Sequence, residues 1–244
     1  VQVDAEWVAT EYNNHNDPDN FYSVSARYAV GSNNGSNNNS GNNNSGDPYL
    51  TGYSKRLPIT INASEVCGNS DFSDFQVYIE VEKNALKHTS NGGHVEHANA
   101  FDIVFTEDDG TSELDFEIED YDASAGKYSA WVLIPTLSAS SNTELYLYYG
   151  KSGVSANPST NDVWTSEYKG VWHMNNDPDN SDLLDATSYS EHGDFEGNMN
   201  SNDLVEGVTG KAIDFDGNND YISFSGNQNH LKMNCKRQTT HLQI

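Results

Sequence analysis

From Leu57 to Tyr149 apolar side chains recur at every second position, and Gly-containing turns separate the runs. That rhythm makes strands with one buried and one wet face rather than helices. Leu57, Ile59 and Ile61 alternate with Pro58 and Thr60, and Val77, Ile79 and Val81 with Tyr78 and Glu80. Phe101, Ile103 and Phe105 repeat the pattern, as do Leu114, Phe116 and Ile118 around Asp115 and Glu117. Residues 128–134, YSAWVLI, are apolar on both faces, which predicts an inner strand ending at Pro135. Over 143–149, Leu145, Leu147 and Tyr149 share one side while Tyr146 and Tyr148 take the other. Further strands are predicted over 170–174, 212–216 and 221–224. Trp7, Val8, Glu11 and Tyr12 fall at helical spacing behind Asp4, a cap residue, and the helix is expected to end near Asn13-Asn14. Phe21, Tyr22, Val24 and Tyr28 then read as a strand. The predicted fold is all-β: antiparallel β-sandwich, jelly-roll-like modules with one short N-terminal helix.

Charge narrows the partners. The 244 residues carry 37 acids against 12 bases, a net charge of -25, which repels a polyanion and argues against nucleic acid. No stretch approaches the ~20 apolar residues of a membrane-spanning helix. Cys67 and Cys235 make no disulfide framework. The surplus of Asp, Glu and Asn fits a secreted, calcium-rich or saline setting, and the expected location is secreted or cell-surface.

Residues 31–47 contain only Gly, Ser and Asn until the final Asp, the composition of a flexible linker spanning roughly 20–25 Å. Residues 1–30 are too few for a domain, so they are expected to be the end of a truncated unit, with no partner for their helix and strand. The chain begins at Val1 rather than Met and shows no signal peptide, which fits a window on a longer protein. Residues 48–168 form the main predicted sandwich and 169–229 the start of a second. Residues 230–244 hold Lys232, Lys236 and Arg237 and no acid, and are expected to be non-native sequence.

The ordered set Lys55–Ile61, Phe101–Thr106 with Asp109-Gly110-Thr111, Glu117-Ile118-Glu119, Ala130-Trp131-Val132, Leu147–Gly150 and Gly170–His173 resembles a bacterial domain-of-unknown-function family found just before laminin-G-like (concanavalin-A-like) jelly rolls in secreted proteins. Gly210–Gly217 followed by Asp220-Tyr221-Ile222 resembles the early hairpin of such a jelly roll, and residues 7–24 resemble the closing helix and strand of another such domain. The resemblance implies a multidomain array and no established activity.

Four sets of residues are candidates for chemistry. Glu113, Asp115 and Glu117, an E-x-D-x-E run, resemble the catalytic strand of laminarinase-type retaining glycosidases, and a strand would place all three on one face. Flat backbone separates i and i+4 by about 13 Å, against the ~5–5.5 Å between carboxyls that retention needs. A solvated strand face therefore explains them more simply. Asp214, Asp216, Asn218 and Asp220 offer hard oxygens around a Gly turn and make calcium the candidate cofactor; the competing reading is a turn that hydrogen-bonds its own backbone. His88, His94 and His97 with Glu96 are imaginable as a zinc site, but the intervening Ser90–Gly93 reads as a surface loop. Tyr146 and Tyr148, on the wet face of their strand, are the candidate platform for stacking on sugar rings. The expected function is non-catalytic extracellular glycan binding or adhesion, with a glycoside hydrolase using the Glu113/Asp115/Glu117 strand, or a purely structural spacer, as alternatives.

Overall fold

The computed structural model describes residues 5–25, 28–29, 49–207, 210–224 and 242–243. Asp4, the linker 31–47, Cys235 and all but two residues of the basic tail lie outside that set. The chain divides into two compact units between Val163 and Trp164.

The first unit is an antiparallel β-sandwich, as the alternation predicts. One sheet contains β1 (Tyr22–Val24), β2 (Tyr28–Ala29), β3 (Lys55–Ile61), β5 (Val104–Glu107) and β8 (Thr143–Tyr149). In it β8 lies between β3 and β5, and β1 and β2 both pair with the other edge of β3. The opposing sheet is β4 (Phe72–Glu82), β7 (Lys127–Leu137) and β6 (Phe116–Asp122), with β7 central. Every ladder in the two sheets is antiparallel. The alternation in the sequence sets the register: Leu57, Ile59, Ile61, Phe105, Leu145 and Leu147 of one sheet share a core with Phe75, Val77, Ile79, Tyr128, Ala130 and Val132 of the other. A slip by one residue in any strand would turn its whole apolar set to water.

In the first unit β7, β5 and β6 depart from the expected strands. The β7 strand continues past Pro135 to Leu137, because Asp74 stands opposite it with φ +52 and pairing resumes at Ser73 and Thr136. Proline lacks the N–H that an uninterrupted ladder would need there. The β5 strand starts at Val104 because Ala100, at φ +57, and the hydrogen bond from Ile103 N–H to Ala100 C=O fold the preceding residues into a turn. Within β6 a bulge inserts Glu119, so Ile118 faces Ala130 but Asp120 faces Ser129.

Residues 5–24 correct the expectation that they lack a partner. Helix α1 (Ala5–Asn16), two residues longer than expected, packs along β4, and β1 extends the sheet beside β3. The exposed edge of β4 is closed by side chains. Asn14 Nδ2 donates to Tyr78 C=O at 2.9 Å while its Oδ1 accepts from Tyr78 N–H at 2.8 Å. The Tyr22 hydroxyl likewise donates to Glu80 C=O at 2.9 Å and accepts from Glu80 N–H at 2.7 Å. Unpaired strand edges invite association with other chains, and capping them satisfies groups that burial would otherwise leave unpaired. Between α1 and β1, Asp17-Pro18-Asp19-Asn20 turns into the short helix α2 (Pro18–Phe21), with Asp17 Oδ2 accepting from Asn20 Nδ2 at 2.6 Å. The same sequence recurs at 177–180 with the same bond from Asn180 to Asp177 at 2.6 Å, so this turn is locally encoded.

The second unit is built of short pairs. β9 (Val171–Trp172) pairs with β14 (Leu242–Gln243), β10 (Gly193–Glu196) with β13 (Tyr221–Phe224), and β11 (Leu204–Glu206) with β12 (Lys211–Ile213). Trp172, Met174, Leu183, Ile213, Phe215 and Ile222 form its core.

Candidate functional site

The outer face of the five-stranded sheet is built around one cation. Arg56, Tyr146 and Tyr148 all point outward, because Leu57, Leu145 and Leu147 point in. The Arg56 guanidinium lies 4.0 Å from the Tyr49 ring centre and 3.8 Å from that of Tyr146, held between two aromatic faces. Its Nη1 donates to the Tyr148 hydroxyl at 2.9 Å, which in turn donates to Gly110 C=O at 3.0 Å. Tyr49 and Tyr53 pack edge-on against Tyr148. The consequence for the sugar-platform expectation differs by residue. Tyr148 is fully buried and offers no open face, which corrects its assignment; Tyr146 stays half-buried, with one face taken by Arg56.

Next to this face lies a buried carboxylate. Asp102, with no exposed surface, accepts from Glu96 N–H at 2.8 Å and Gly150 N–H at 3.0 Å through Oδ2, and from His97 N–H at 2.9 Å through Oδ1. It pins the 94–97 loop to the ends of β5 and β8. Gly150 is required there: it has φ +79, and a Cβ would collide with the Ser54 hydroxyl. Burial, together with the charges of Glu113 and Asp102, pushes the Tyr53 hydroxyl up to about 12.

On the outer face of the three-stranded sheet, His15 of α1 lies 5.1 Å from the Trp131 ring and 5.9 Å from that of Tyr78. Burial lowers the pKa of His15 and pushes the Glu11 carboxyl, one turn earlier, up to about 7. Trp131 donates from Nε1 to Glu119 Oε2 at 3.0 Å, an acceptor that the β6 bulge provides. Glu80 Oε2 accepts from the Tyr78 hydroxyl at 3.2 Å and pairs with Lys127 at 3.0 Å. Trp131 is 1 % exposed, so this face is a packed polar–aromatic layer.

The three carboxylates of the E-x-D-x-E run do not share one strand. Glu113 bridges Thr106 of the five-stranded sheet, whereas Asp115 C=O accepts from Leu133 N–H of the three-stranded one, and β6 begins only at Phe116. The chain crosses between sheets in the middle of the run. Asp115 is raised by burial and by the charge of Asp162, a neighbour outside the run.

At the calcium candidate, Asp216 Oδ1 accepts from Asn218 N–H at 2.8 Å and Asn219 N–H at 3.1 Å, and Asp220 Oδ2 accepts from Asp216 N–H at 2.9 Å. The bonds donated to its Oδ1, that from Asn218 foremost, hold Asp216 below the usual carboxylate range. Asp214 is exposed and donates its N–H to Asp203 C=O. Of the zinc candidates, His88 Nδ1 sits 2.7 Å from the Ser90 hydroxyl, and His97 accepts from Asn99 N–H while stacking on Phe101 at 4.3 Å. Among the described residues no group of three or more His, Cys, Asp or Glu side chains is placed to hold a metal ion. Among the same residues no helix is long and apolar enough to cross a membrane.

Sequence reading missed Arg56, Asp102 and Asn14. Two signals were present: an arginine inside an alternating strand pattern in a chain so short of bases, and an acid inside the apolar run 101–105. Asn14 carried no signal, because it bonds backbone that only the fold brings near.

Fold and site together define an all-β sandwich module whose polar side chains mostly serve its own backbone. A family described as a domain of unknown function (DUF2341) matches residues 99–191, which include β5 to β8 and the opening of the second unit. The expectation of a domain of unknown function is met over that range, while the quoted Lys55–Ile61 lies before it. Neither the curated proteins nor the solved structures contain a match to the chain.

Proposed function

We propose that the chain is a non-catalytic module of a secreted or surface-attached multidomain protein that adheres to an extracellular glycan. The observation that carries this reading is the Tyr49–Arg56–Tyr146 stack, in which two half-buried rings are fixed around one guanidinium on a sheet face. Rigid aromatic groups lose little entropy on binding, and the exposed part of Tyr146 suits the apolar side of a pyranose. The net charge of -25 and the resemblance to modules that precede laminin-G-like jelly rolls in secreted bacterial proteins support an extracellular place. Calcium is left out of the proposal, because Asp216 and Asp220 already serve the N–H groups of their own turn. A hydrolase reading is disfavoured by the spread of Glu113, Asp115 and Glu117 over two sheets.

A glycan array probed with the full chain tests the proposal. A positive glycan is expected to lose about 1–2 kcal/mol, roughly tenfold in affinity, with Tyr146→Ala. Tyr189→Ala, which removes an exposed ring of the second unit, is expected to leave affinity unchanged. An array without signal would leave the structural spacer as the better reading.

A further inference from the structure

The contacts that hold residues 5–29 against the sandwich are those of a docked ligand. The segment has no core of its own. Trp7 packs on Phe75 at 5.4 Å, and Asn13 Nδ2 donates to Glu65 C=O at 2.8 Å. The Thr10 hydroxyl accepts from Cys67 N–H at 2.8 Å, and Asn14 and Tyr22 cap the β4 edge. Strands β1 and β2 then add to the open edge of β3 through main-chain bonds, a recurring mode of peptide recognition. One segment thus closes an edge of both sheets.

Nothing in those contacts requires the segment to come from the same chain. Residues 31–47, which connect it to the body, contain no apolar side chain. We propose that the edge formed by β3 and β4 is an assembly site, taking the helix–turn–strand segment of a second copy of this chain and so linking copies by exchange of residues 5–29. Such exchange preserves every contact of the closed form, so its cost is chiefly the entropy of association. A connection of so few residues gives the tethered segment an effective concentration of about a millimolar, so single copies close on themselves when dilute and link where copies are crowded.

The test uses the full chain with a protease site placed within 31–46. After cleavage the two pieces are expected to co-elute. A fluorescent peptide of residues 5–29 then exchanges into the body, with a rise in anisotropy that an unlabelled peptide reverses. The same peptide carrying Asn14→Ala and Tyr22→Phe is expected to bind at least tenfold more weakly, since it lacks both edge caps. The uncut chain should show dimers growing between about 10 µM and about 1 mM in sedimentation. Three results would overturn the proposal: a peptide that never enters a folded body, a doubly substituted peptide that binds as well as the parent, or an uncut chain that stays monomeric across that range.

Discussion

Replacing Asp102 by alanine is expected to destabilise the first unit by about 3–5 kcal/mol, since each buried donor left unpaired costs about 1–3 kcal/mol. Three N–H groups lose their acceptor at once, on Glu96, His97 and Gly150. The loss falls short of the largest sum because Glu96 is exposed and its amide can recruit water. Asp102→Asn separates charge from shape. It keeps one oxygen but turns an amide NH₂ toward a backbone N–H, so it should recover only part of the loss. Thermal or urea unfolding of the three proteins measures both effects. A loss below about 1 kcal/mol for Asp102→Ala would mean that the carboxylate is solvated rather than buried.

Phe105→Ala is expected to cost a similar 3–5 kcal/mol, the usual range for removing a large buried ring. Phe105 has no exposed surface and joins the two sheets, with its ring 5.3 Å from that of Phe116 and 6.3 Å from that of Tyr128. Deleting it leaves a cavity that neither sheet can close without shifting register, because Leu147 and Val132 are fixed by their ladders. Phe105→Leu, which fills much of that space, should cost less than half as much. Denaturant unfolding with unchanged m-value is the measurement, and an alanine variant as stable as the parent would remove Phe105 from the core.

What the sequence revealed and what it hid follow from the range of the interactions. The β8 and β13 strands begin and end where the alternation does, because each side chain's face is decided by its own residue and its immediate neighbours. The same local logic produced the Asp-Pro-Asp-Asn turn twice. Alternation failed at Tyr148: its outward position was legible, but the Tyr49–Tyr53 segment and the Gly110 carbonyl that cover it come from elsewhere in the chain. The docking of α1 was hidden for a different reason. The fully buried residues of the helix are Thr10 and Asn14, so the docking face lacks the apolar stripe by which amphipathic helices are recognised. The carboxylate run 113–117 misled because it alternates correctly across a place where the chain changes sheets.

Residues 5–24 complete the sandwich by capping the edge of β4. Amide hydrogen exchange tests it most directly, because an outward-facing N–H on an edge strand exchanges quickly unless something holds it. The amides of Tyr78 and Glu80 donate to the Asn14 and Tyr22 side chains. They are expected to be as protected as the central β7 amides in the full chain, and to lose that protection in an Asn14→Ala, Tyr22→Phe variant that keeps its sandwich. Rapid exchange at both positions in the unaltered chain would contradict it.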